Sequence, residues 1–320
     1  MRLQMKQSKT GFDMFDGMLS QARYRRLFLA RALDYRRLSI LRLIRLGLLY
    51  LLLYPALFIF IGCGFRSAEN GGPEDSAIRV VQRSGGACYR PPDYVDFSRP
   101  PWLNEVSGNP VVEANWSGAR TYATDEMLAQ LAPLKNLRRL IVGPGPVSDS
   151  GVKHLLSFVH LRELSLAGTR ITDAAVKDIV QLQKLEVIHL GGTRISDQCL
   201  ADLSKIDSIR ELALGRTSIT DDGIKSLARL QNLEVLRLSG TQLTDAGVGH
   251  LDGLANLRIL TLDGTNVSDA CLRTLSRMRK LRTLCLVDTK VTLQGARELM
   301  GSLRQCNVQV NVSAADKQQR

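Results

Sequence analysis

From Asn136 to Met300 the chain repeats itself every 24 residues without an insertion, which restricts it to stacking one small unit on the next. One apolar column reads Leu137, Leu161, Leu185, Ile209, Leu233, Leu257, Leu281. Three residues on comes Leu140, Leu164, Ile188, Leu212, Leu236, Leu260, Leu284. Two further on comes Val142, Leu166, Leu190, Leu214, Leu238, Leu262, Leu286. A threonine column runs Thr169, Thr193, Thr217, Thr241, Thr265, Thr289.

Each column has a physical reading. Alternation of the LxL type puts two leucines on one face of a short strand. Stacked in parallel at ~4.8 Å, such strands give a continuous apolar core. The threonine column falls where the chain leaves the strand, and its hydroxyl can satisfy backbone groups at the bend. The Ser/Thr-Asp pair that follows opens a helix, with either residue able to cap it. Val176, Ile179 and Leu182 then recur at helical spacing, facing inward. The third position of the first helical turn is always small, at Gly151, Ala175, Cys199, Gly223, Gly247, Cys271 and Gly295, so the neighbouring coil passes close. Cys199 and Cys271 are packing residues on this reading. No CxxC spacing exists to hold a metal.

The unit LxxLxLxxTx(I/L/V)(S/T)Dxx(V/L/I)xx(L/I)xxL resembles the leucine-rich repeat, with Thr where that family usually has Asn or Cys. The resemblance covers roughly residues 112–311 and implies an α/β solenoid of horseshoe form. A parallel sheet would line its concave face and short helices its convex face. It also implies a domain that binds other macromolecules. Residues 112–135 form a degraded first repeat, with Trp116 in place of the strand leucine. Seven full repeats occupy 136–303. Residues 304–311 supply a closing strand with Val308 in phase with Leu284, and 312–320 a disordered tail.

Ahead of the repeats the chain changes character. Residues 1–45 hold eleven Lys/Arg against three Asp/Glu, a basic arm. The twenty residues from Leu46 to Phe65 carry no charge, and at ~1.5 Å per residue they match a ~30 Å bilayer core. Five arginines between Arg31 and Arg45 precede this stretch and only Arg66 follows closely. The expected topology therefore has a cytoplasmic N-terminus and repeats across the membrane. Cys63 ends a "FIGC" sequence that resembles a lipidation box, although Phe60 departs from the usual Leu. Six of the ten prolines fall within 71–110, so 66–111 reads as a linker or an irregular cap.

Outward side chains of the strands form the candidate recognition surface. It comprises Glu163, Ser165, Val187, His189, Glu211, Val235, Arg237, Ile259 and Thr261. Ser165, His189 and Glu211 are the residue types of a nucleophilic triad, but an open sheet supplies neither a water-excluded pocket nor an oxyanion hole. No catalytic residue, cofactor or metal site is expected. The expected partners are the lipid bilayer and a protein, with nucleic acid excluded because topology accounts for the basic arm. Two other readings are a structural spacer of the envelope and a ubiquitin-ligase substrate adaptor. The latter follows from a resemblance to the cysteine-containing repeats of F-box proteins, and here a membrane span stands where an F-box would be.

Overall fold

The computed structural model describes residues 72–90, 111–119 and 121–311. The basic arm, the apolar stretch Leu46–Phe65, Cys63 and the tail 312–320 lie outside the described residues. Among the described residues no helix is long and apolar enough to cross a membrane.

Ten three-residue strands form one sheet in sequence order. They are β1 (Ala87–Tyr89), β2 (Glu113–Asn115), β3 (Arg139–Ile141), β4 (Glu163–Ser165), β5 (Val187–His189), β6 (Glu211–Ala213), β7 (Val235–Arg237), β8 (Ile259–Thr261), β9 (Thr283–Cys285) and β10 (Asn307–Gln309). All pairs from β2 to β10 are parallel, and from β3 onward each residue faces its counterpart one repeat on, as Leu140 faces Leu164. Val308 faces Leu284, the phase expected of a closing strand. The central residue of each strand from β3 to β9, leucine or in β5 isoleucine, points inward and is fully buried from Leu140 to Leu284. The first and third apolar columns join it in one core that runs from Ala77 to Val308.

Helices follow the strands on the other side of this core. They are α2 (Asp125–Gln130), α3 (Asp149–Val152), α4 (Asp173–Ile179), α5 (Leu200–Leu203), α6 (Asp221–Leu227), α7 (Asp245–Gly249), α8 (Leu272–Leu275) and α9 (Leu293–Ser302). All but α5 and α8 are capped directly by a Ser or Thr hydroxyl. The first turn of those two coils is instead a 3-10 segment, Asp197–Cys199 and Asp269–Cys271, capped by Ser196 and Ser268. Each cap accepts a backbone N–H two or three residues on, satisfying a donor that the helix start leaves unpaired.

Two polar columns hold the coils together. Every repeated threonine donates its hydroxyl to the carbonyl three residues back, as Thr217 does to Leu214 at 2.6 Å. The aspartate column does something the sequence reading does not anticipate. Thr220, not Asp221, caps α6, accepting from Asp222 N at 3.4 Å. Asp221 instead reaches into the next coil, where its carboxylate accepts from Thr244 N at 2.8 Å and from the Thr244 hydroxyl. The same two-bond staple joins Asp125 to Ser148, Asp149 to Thr172, Asp173 to Ser196, Asp197 to Thr220, Asp245 to Ser268 and Asp269 to Thr292. It explains the small column as well. A Cβ at Gly151, Gly223 or Gly247 would run into the stapling carboxylate of the preceding coil.

The stretch read as a linker or irregular cap contains regular structure. Helix α1 (Pro73–Arg83) starts with Pro at its first position and has Glu74 and Asp75 in its first turn, both favourable at a helix N-terminus. Strand β1 then pairs antiparallel with β2. Ala114, not the expected Trp116, takes the strand-leucine position opposite Leu140, because β2 meets β3 two residues out of the 24-residue phase. Trp116, just past β2, is buried and donates its indole N–H to the Ser84 hydroxyl at 2.8 Å. Thr121 donates to the Ser84 carbonyl, so the end of α1 is tied to the first repeat.

Candidate recognition face

Strand side chains that do not enter the core stand on the open face of the sheet in two columns. One contains Glu113, Arg139, Glu163, Val187, Glu211, Val235, Ile259 and Thr283, and the other Asn115, Ile141, Ser165, His189, Ala213, Arg237, Thr261 and Cys285. The face divides into three zones along the stack.

The N-terminal zone is acidic and covered. Glu113 and Glu163 flank Arg139, whose Nε lies 2.8 Å from Glu163 Oε1 and whose Nη1 lies 3.7 Å from Glu113 Oε2. The Nε contact is an ion pair with its N–H directed off the oxygen. Glu163 and Ser165 are only 6% and 7% exposed, so these two of the nine expected recognition residues offer a partner little surface. Burial pushes the Glu163 carboxyl above the usual range, against the pull of Arg139.

At the centre Glu211 Oε1 accepts from Arg237 Nη1 at 2.5 Å and lies 2.9 Å from His189 Nε2. Burial acts to raise the Glu211 carboxyl, but hydrogen bonds and charge from His189 and Arg237 outweigh it and leave the value below normal. Ser165 pairs across the strands with His189, yet makes no side-chain bond to it, and the hydroxyl–imidazole contact a triad needs is not formed. The C-terminal zone, with Val235, Ile259, Thr261, Thr283 and Cys285, carries no charge, and its side chains are half-buried. In it the Ser239 hydroxyl bonds Thr261 Oγ1 at 3.0 Å.

The two packing cysteines sit as expected. Sγ of Cys199 donates to Ser196 O at 3.2 Å and that of Cys271 to Ser268 O at 3.1 Å. Burial, reinforced by Asp173, pushes the Cys199 thiol far up, and burial with Asp245 pushes Cys271 to about 12. Neither offers a thiolate at neutral pH. Among the described residues no group of three or more His, Cys, Asp or Glu is placed to hold a metal.

One charged column escapes the sequence reading. The residue just before each strand from β3 to β9 is Arg138, Arg162, Glu186, Arg210, Glu234, Arg258 and Arg282 in turn. Glu186 pairs with Arg162 at 2.7 Å and approaches Arg210 at 4.0 Å, while Glu234 pairs with Arg210 at 3.1 Å and Arg258 at 3.3 Å. Its signal was present as a 24-residue alternation of sign, legible by the same column alignment that exposes the leucines.

The leucine-rich repeat region family matches residues 119–317, well over half the chain. The chain is a leucine-rich repeat protein. Solved structures of the same architecture include two from Listeria monocytogenes. The internalin InlF has 20% identity and a TM-score of 0.50, over 61% of this chain and 52% of the internalin, so the match spans about half of that protein's length. The internalin C2 has 19% identity and a TM-score of 0.50, over 75% of this chain and 94% of that one. At these identities the likeness is one of fold. No curated protein sequence matches the leucine-rich repeat protein.

Proposed function

We propose that this leucine-rich repeat protein is a membrane-tethered, non-catalytic recognition module whose open sheet face receives a partner protein. The observation that carries this reading is a division of labour among its repeated side chains. The Thr and Asp columns are engaged in holding the coils, while Val187, His189, Glu211, Val235, Arg237, Ile259 and Thr261 remain half-exposed side by side. Apolar β-branched residues beside an Arg are suited to a protein surface, with Arg237 (side chain 42% exposed) as its anchor. The tether is the Leu46–Phe65 stretch, with the N-terminus cytoplasmic and Cys63 unmodified. Intact mass of the purified protein tests that point, and a chain beginning at a diacylated Cys63 replaces the helical tether with a lipid one.

Cross-linking of the full chain in its native membranes tests the face. Exchanging the charges, Glu211→Arg with Arg237→Glu, keeps their mutual attraction but inverts the field a partner meets. The Glu211–His189 contact is lost, so stability should fall by about 1 kcal/mol at most, while cross-linked partner polypeptides should disappear. Partners retained by the exchanged variant would move the site to the helix side or the N-terminal cap. Cross-links formed only between copies of this chain would favour the structural spacer instead.

A further inference from the structure

The two rims of the repeat stack carry opposite charge. The turns that lead into the strands (135–138, 159–162, 183–186, 207–210, 231–234, 255–258, 279–282 and 303–306) hold ten Lys/Arg against three Asp/Glu. The turns that leave the strands (144–149, 168–173, 192–197, 216–221, 240–245, 264–269 and 288–293) hold four against seven. Along the leading rim Glu186 and Glu234 neutralise the middle by pairing with Arg162, Arg210 and Arg258. At the C-terminal end that alternation stops. Arg279, Lys280, Arg282 and Arg304 are exposed, and among the described residues none makes an ion pair with a carboxylate. Arg279 donates to the Ser302 carbonyl at 2.9 Å and Lys280 to Asn256 Oδ1 at 2.7 Å, neutral acceptors that fix position without cancelling charge. On the same rim Val159 is 61% exposed beside His160, an uncommon placement for a large apolar residue here.

We propose that the leading rim, most strongly at its C-terminal end, docks on an anionic lipid bilayer. The proposal rests on the tether reading, which holds the repeats beside a membrane. A row of cations along one edge of stacked coils matches a plane of headgroup phosphates, and each Lys or Arg there gains ~1 kcal/mol from an anionic surface, about fivefold in occupancy. Val159 offers apolar contact at the headgroup level. Nucleic acid fits less well, because these turns contain no Phe, Tyr or Trp on which a base could stack. Docked by this rim, the repeat stack would lie along the membrane with its acidic rim turned away and the open sheet face accessible from the side.

Amine acetylation read by mass spectrometry tests the proposal, with the full chain reconstituted in nanodiscs of phosphatidylcholine alone or mixed with phosphatidylglycerol. In the anionic discs acetylation of Lys135, Lys184 and Lys280 should slow by about fivefold. That of Lys177, Lys225 and Lys290 should not change, and high salt should cancel the difference. The variant Arg282→Glu with Arg304→Glu should restore the reactivity of Lys280 in anionic discs, with its circular dichroism unaltered. Equal labelling in both lipids, with the chain still held in the discs, would overturn the rim proposal and leave the tether standing. A chain that fails to stay in phosphatidylcholine discs would overturn the tether, and rim protection in anionic discs would then still support docking. Protection of Lys280 by duplex DNA without lipid, equal to that by anionic discs, would overturn the choice of lipid.

Discussion

At the scale of single residues, two neighbours of similar polarity do different work. Thr220 caps its own helix through one bond of 3.4 Å and donates its hydroxyl to Asp197 of the preceding coil at 2.6 Å, whereas Asp221 binds the next coil by accepting from a backbone N–H and a hydroxyl. A lost cap costs about 0.5–2 kcal/mol. Hydrogen bonds to a charged acceptor contribute about 1.5–3 kcal/mol, and their loss here strands the half-buried Thr244 N–H. Urea unfolding of the full chain in detergent should therefore rank Asp221→Ala as more damaging than Thr220→Ala. The reverse order would mean that the cap and the hydroxyl bond to Asp197 together outweigh the two bonds that Asp221 accepts. This ranking was hidden from the sequence, because a carboxylate one residue past a cap has the same local signature whether it turns back or reaches across. Only the staple distances separate the two.

At the scale of the coil, the width of the first helical turn decides its geometry. Coils with Gly or Ala at the third position begin directly as α-helix, while the two with Cys begin as 3-10 segments. The Cys side chain occupies space into which the stapling carboxylate of the preceding coil projects, and both thiols bond the carbonyl of the capping Ser. Cys199→Ala should be nearly neutral. Cys199→Leu should overpack the turn by about 1–3 kcal/mol, seen as a lower urea midpoint with an unchanged slope. Equal stability of the two variants would show that the turn has room to spare. A second local strain lies at Arg216, which stands at φ 56° in a column where Gly168, Gly192, Gly240 and Gly264 take the left-handed conformation freely.

For the whole molecule, the period made the solenoid legible and left its N-terminal end obscure. The leucine columns, the threonine hydroxyls and the closing strand follow from alignment at 24 residues, because each contact joins a residue to its counterpart one coil on. The N-terminal cap has no counterpart. Its antiparallel pairing of β1 with β2 and the bond from Trp116 to Ser84 join segments that share no repeat, within a stretch dominated by Pro and Gly. The candidate face was half legible. Column position placed its residues on the outward side, but the burial of Glu163 and Ser165 depends on what lies over them, which a column does not encode.

The stapling aspartates also act as a ruler. Because each reaches only to the hydroxyl and amide of the coil that follows, a gain or loss of 24 residues leaves every junction intact, while any other change of length severs one. Such an architecture can alter its reach in steps of one strand, about 4.8 Å, and can rewrite the outward side chains of each strand independently of the contacts that space them. Length and specificity are thus separately inheritable, the first counted in whole coils and the second spelled two letters at a time.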